Sequence, residues 1–64
     1  MKKPYRSGDR VVALVANKWI PGFVARTDSF WIYVRAERWE GVNVPFKPEQ
    51  VRHEEDHARE ILLS

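Results

Sequence analysis

The stretch from Phe30 to Phe46, FWIYVRAERWEGVNVPF, constrains this chain more than any other. It reads as two strands joined by a short turn, and it holds five of the eight aromatic residues. In a strand, successive side chains point to opposite faces. Phe30, Ile32, Val34 and Ala36 therefore share one face, and Trp31, Tyr33, Arg35 and Glu37 share the other. A protein this small has one core, and only one of these faces can fill it. The other face leaves an aromatic and basic strip near solvent, or covered by another element such as a C-terminal helix with Ile61 and Leu62 against the rings of Trp31 and Tyr33.

The 64 residues make one domain, and a chain of that size buries only about 60% of its unfolded surface. It contains no cysteine, so aliphatic and aromatic packing must supply the stability without a disulfide or thiolate metal site. That composition fits a reducing, cytoplasmic setting. No apolar run reaches the roughly 20 residues needed to cross a membrane. The basic start MKKPYRSGD has no hydrophobic segment behind it, so it does not read as a signal peptide. Charge is unevenly spread. Residues 1–53 hold ten Lys and Arg against five Asp and Glu, a balance of +5. Residues 54–64 hold four acids against Arg59, a balance of −3. The first part attracts anions and the tail repels them, although +5 over 53 residues is also common for a merely soluble surface.

Ser7-Gly8-Asp9 signals a turn. Val11–Val15 is an apolar, β-branched run and predicts the first strand. Ala16-Asn17-Lys18 reads as a loop. Pro21-Gly22 interrupts the next apolar run, so the second strand is expected to start at Phe23. Thr27-Asp28-Ser29 predicts a turn, Phe30–Ala36 a third strand, Arg38–Gly41 a turn and Val42–Pro45 a fourth strand. Pro48-Glu49-Gln50 suits one tight helical turn, and Val51–His53 a very short fifth strand. From Glu54 the pattern changes. Three acids suit the first turn of a helix, and Ala58, Ile61 and Leu62 then fall on one face. A helix of about ten residues is marginal alone. It must dock or fray, either packed over the open end of the barrel or docking a partner or a second copy. The expected organisation is a barrel over residues 5–53 and an acidic amphipathic helix over 54–64. The predicted core is Val11, Ala13, Val24, Ile32, Val34, Val44 and Val51.

Five short strands with closely spaced turns predict a mainly β protein, a small antiparallel barrel followed by a short helix. Three blocks resemble the SH3-like barrels. Gly8-Asp9-Arg10-Val11-Val12-Ala13 and Trp19-Ile20-Pro21-Gly22-Phe23-Val24-Ala25 look like Tudor and agenet domains. Ile32-Tyr33-Val34-Arg35, followed by Phe46-Lys47-Pro48-Glu49-Gln50-Val51, is similar to the closing segment of SH3-like subunits of photosynthetic electron transfer. Those include the photosystem I subunit that helps dock ferredoxin and the variable chain of ferredoxin-thioredoxin reductase. Together the blocks cover about residues 5–53. The resemblance implies a five-stranded fold, and it leaves function to the site.

Tudor domains that bind methylated side chains use an aromatic cage. By that resemblance the positions near Val15 and Ile20 would be aromatic, but here they are aliphatic. A similarity to the SH3-like type II dihydrofolate reductases touches Gly8-Asp9-Arg10-Val11 and Trp19. Their Val-Gln-Ile-Tyr active-site motif is replaced by Val42-Asn43-Val44-Pro45-Phe46. His53-Glu54-Glu55-Asp56-His57 has the spacing of the zinc-protease motif. Only seven residues follow it, too few to complete a ligand sphere and a cleft. No cysteine nucleophile or glycine-rich phosphate loop is present. The expectation is therefore no enzyme, no metal and no cofactor.

Trp39 lies in the polar turn Glu37-Arg38-Trp39-Glu40-Gly41, where it either caps the barrel or anchors a contact. Trp and Arg dominate interface hot spots. The expected working surface is Trp31, Tyr33, Arg35, Arg38 and Trp39, and the expected partner is a protein bound by a monomer or weak homodimer. The alternative is single-stranded nucleic acid, whose bases would stack on these rings. Its phosphates would meet Lys2, Lys3, Arg6, Arg10, Lys18, Arg26, Arg35, Arg38 and Lys47.

Overall fold

The computed structural model of the chain describes residues 4–63. Lys2, Lys3 and the last residue of the expected helix, Ser64, lie outside that range. The elements are β1 (Arg10–Val15), β2 (Lys18–Thr27), β3 (Ile32–Arg35), β4 (Val44–Phe46), β5 (Val51–His53) and the helix α1 (Glu54–Leu63). Two 3-10 turns, Glu37–Trp39 and Pro48–Gln50, lead into β4 and β5. The strands form one antiparallel sheet in the order β4-β3-β2-β1-β5. The fold is thus mainly β with a C-terminal helix, as expected. The sheet is open, with β4 and β5 at its edges.

β1 and β2 form a hairpin in which Val15 pairs with Lys18 across Ala16 and Asn17. Both turn residues have positive φ, 48° and 64°, as a two-residue turn of matching twist demands. β2 does not start at Phe23. It runs straight through Pro21-Gly22, with Pro21 opposite Val12 and Gly22 opposite Val11. Proline is tolerated because β3 pairs only with Phe23–Thr27. The first half of β2 is therefore bonded on one side, and its other edge needs no N–H. A bulge between Val24 and Arg26 then bends the strand. The Ser7-Gly8-Asp9 turn docks there: the Gly8 N–H donates to the Val24 carbonyl (2.7 Å) and the Val24 N–H to the Asp9 carbonyl (2.9 Å).

The core is Val11, Ala13, Val24, Ile32, Val34, Phe46 and Val51, with Tyr5, Trp39 and Val44 packed against it. Six of the seven expected core residues are buried, while Val44 is only partly so. β3 starts at Ile32 and β4 at Val44, two residues later than the alternation suggested. Phe30 is therefore not a core residue and stands 77% exposed. Its segment is instead turned by Asp28, whose Oδ1 accepts the N–H groups of Phe30 (3.0 Å) and Trp31 (2.8 Å). Val12 is buried as well, at 6% exposure, although it points away from Val11 and Ala13. A strand covered on both faces reads as a continuous apolar run, and what covers Val12 is α1.

The helix packs against β1 and β5, but not through the expected face. It has no buried residue, and Leu62 is 84% exposed. Its sheet-facing side carries His57, whose ring lies 5.2 Å from that of Trp19, and Glu60, which accepts a hydrogen bond from Arg52. Trp19 and Arg52 share the outward face of the sheet with Val12, because they stand at outward register positions on β2 and β5. α1 thus lies across the outside of β5-β1-β2 and does not plug an end of the fold.

Candidate functional site

The outward face of the sheet has two halves. In the first, over β5-β1-β2, the Arg52 guanidinium sits 4.4 Å above the Trp19 ring and bonds Glu60, while Arg10 Nε lies 3.8 Å from Glu54 Oε2. Each such contact is small. An exposed cation–π pair is worth about 0.5–1 kcal/mol and a surface ion pair about 0–1 kcal/mol. Behind them, the Tyr5 hydroxyl donates to the Val51 carbonyl (2.8 Å) and its ring stacks on His53 at 4.6 Å. Burial raises the Tyr5 pKa, the Asp56 charge adds to the rise, and Arg52 opposes it.

The second half, over β2-β3-β4, has no helix on it. Phe23 faces outward beside Arg35, and Arg26 beside Tyr33. The Arg26 guanidinium lies 4.1 Å over the Tyr33 ring. Arg35 is held in place: its Nε donates to Asn43 Oδ1 (3.1 Å) and its Nη2 to the Gly41 carbonyl (3.4 Å). Phe23 is 40% and Trp31 39% exposed. Asp28 organises this end of the face, since its Oδ2 also accepts from the Tyr33 hydroxyl (3.4 Å). The Phe30 N–H, then that of Trp31, holds the Asp28 carboxyl below the ordinary aspartate range. Between α1 and the Glu37–Trp39 turn runs a groove of about 950 Å³. Its floor is Pro21, Gly22 and Phe23, and Arg10, Arg35 and Arg38 line its sides.

Four of the five residues singled out from the sequence fall on or beside this second half. Trp31 and Tyr33 lie at its Asp28 end, and Arg35 and Arg38 at its groove. Trp39 does not join them as an exposed anchor. It is half-buried, its ring stacks on Phe46 at 5.9 Å, and it packs against the core. Of its two sequence-based roles, the cap is the one the geometry matches. The sequence pattern did not point to Phe23 and Asp28 as parts of the surface, and offered Arg26 only as a phosphate contact. Trp19, Pro21 and Phe23 alternate along one strand, a signal hidden by treating Pro21-Gly22 as a strand boundary.

The two histidines do not form the zinc-protease pair their spacing suggested. His53 ends β5 and only His57 is in α1, so they do not share a helix. His53 Nε2 and His57 Nδ1 are buried with no hydrogen-bond partner among the described residues. Among the described residues, no group of three or more His, Cys, Asp or Glu side chains is placed to hold a metal ion. Nor is any described helix long and apolar enough to cross a membrane. No protein-family model, curated protein or solved structure matches the chain.

Proposed function

We propose that this chain is a non-enzymatic, SH3-like binding module that docks a protein partner on the outward face of β2 and β3. The strand order, the bulged central β2 and the 3-10 turn before β5 support the SH3-like reading. The observation that carries the functional one is the exposure of Phe23 on one face with Arg26, Tyr33 and Arg35, with a second exposed ring, Trp31, just before β3. Large aromatic residues set among arginines are the composition of an interface anchor. The positions are also prepared: the Arg35 side chain is pinned by Asn43 and Gly41, and the Trp31 backbone by Asp28. Trp39 supports this surface from beneath, through Phe46.

The test is a selection of displayed random peptides on the full chain, counter-selected on the Phe23→Ala variant, beside a labelled oligodeoxythymidine of about ten nucleotides. Peptides that need Phe23, with the oligonucleotide failing to bind at physiological salt, are the expected result. No selected peptide, together with oligonucleotide affinity that drops about tenfold or more from low to physiological salt, would transfer the surface to nucleic acid.

A further inference from the structure

The covered half of the outward face indicates what fits the open half. α1 is an acidic helix, with Glu54, Glu55, Asp56 and Glu60 against Arg59. It is seated by arginines at its edges and an aromatic ring beneath: Arg10 toward Glu54, Arg52 toward Glu60, and Trp19 under both Arg52 and His57. The same face continues along β2 past Trp19 to Pro21 and Phe23, and across to Arg35 on β3. There the chemistry repeats, with a proline and an exposed ring as floor and guanidinium groups at the sides. Arg10, Arg35 and Arg38 line it against Glu37 and Glu54, and Arg10 is already directed to Glu54, which leaves Arg35 and Arg38 for a ligand.

Building on the docking reading above, we infer that the occupant of this groove is an acidic segment of the partner protein, lying beside α1. Carboxylates of that segment meet Arg35 and Arg38, and an aliphatic side chain covers Phe23. Arg35 is suited to the task because Asn43 and Gly41 already fix its guanidinium, so little freedom is lost when a carboxylate arrives. Opposite potentials across the groove also set the specificity, since a basic segment would bring like charges together.

The probe is a synthetic peptide of residues 54–63, EEDHAREILL, titrated into the isotope-labelled full chain and followed by amide chemical shifts. A second peptide carries Lys at its four acidic positions. The expected result is shifts clustered at Phe23, Arg35 and Arg38, affinity at least about tenfold weaker for the Lys peptide, and the same loss for the Arg38→Glu chain. Arg38 is exposed, so that variant retains the fold. Equal binding of both peptides would overturn the acidic assignment and leave docking intact. Shifts confined to Val12, Trp19 and Arg52 would also overturn it, because the peptide would then only replace the chain's own helix. So would a groove that responds to oligodeoxythymidine and not to the acidic peptide. Failure of the acidic peptide, while displayed peptides still require Phe23, would refute this inference alone. Failure of both would remove the docking reading itself.

Discussion

Gly22→Ala has two opposed expected effects, and the close packing at Gly22 decides the sign. Replacing glycine by alanine in an extended segment lowers the entropy of the unfolded chain and by itself stabilises by about 0.4–1 kcal/mol. Gly22, however, lies where β2 passes the end of β3. A Cβ built there would sit 2.7 Å from the Arg35 carbonyl oxygen and 3.2 Å from the Ala36 Cα. Both are backbone atoms and cannot rotate away. Ordinary contact begins at 3.4 Å, so the strand must retreat by about 0.7 Å, the difference between 3.4 and 2.7. Such crowding costs about 1–3 kcal/mol, which exceeds the entropic gain. The net expectation is a loss of about 1–2 kcal/mol, in a domain whose whole stability is of order 3–10 kcal/mol. The melting temperature should fall by roughly 4–8 °C for each kcal/mol lost. Urea unfolding of both proteins measures the loss directly. Because Arg35 carries the strain, its side-chain bond to Asn43 should weaken too, and the Arg35 Nε–H resonance reports that. An unchanged or raised stability would show that β2 and β3 do not approach this closely, and the geometry of the groove floor would fall with it.

Other consequences follow from single groups. Val34 is fully buried, and Val34→Ala should cost about 1–4 kcal/mol in urea unfolding; a loss below half a unit would mean that the core lies elsewhere. Asp28 has a lowered carboxyl pKa because its ionised form accepts the Phe30 and Trp31 N–H groups. The contribution of this turn is therefore present above the ordinary aspartate range and lost as pH falls through the lowered value. The Trp31 amide shift should titrate with a midpoint below that of an ordinary aspartate, and a midpoint at or above it would contradict the turn. Equimolar zinc should leave the melting temperature unchanged; a rise of several degrees that His57→Ala abolishes would establish a metal site at the histidines.

Much of the fold was readable from local pattern, since the segments concerned obey one rule each. The β-branched run at Val11–Val15, the proline-led turn at Pro48 and the three acids opening α1 each state their element. The misreadings have tertiary causes. Pro21 fits inside β2 because β3 stops short of it, a fact about a strand that begins eleven residues later. Phe30 leaves the core because the Asp28 carboxylate captures two N–H groups that a strand would have used. The helix docks through His57 and Glu60, and not through its apolar residues, because the surface beneath it presents Trp19 and Arg52. The candidate surface was half legible. The alternation of Trp31, Tyr33 and Arg35 was visible, but Phe23 joins them only through strand pairing, and Trp39 leaves them only because Phe46 lies within stacking reach.

The most direct test of the docking surface is the affinity of a display-selected peptide for three chains: wild type, Phe23→Ala and Trp39→Ala. The expected result is a loss of at least about tenfold, or about 1.4 kcal/mol, for Phe23→Ala with an unchanged melting temperature. Trp39→Ala should do the reverse, lowering the melting temperature while the folded fraction binds as before. An affinity indifferent to Phe23 and abolished by Trp39→Ala at unchanged stability would place the contact on the Glu37–Gly41 turn and contradict the account.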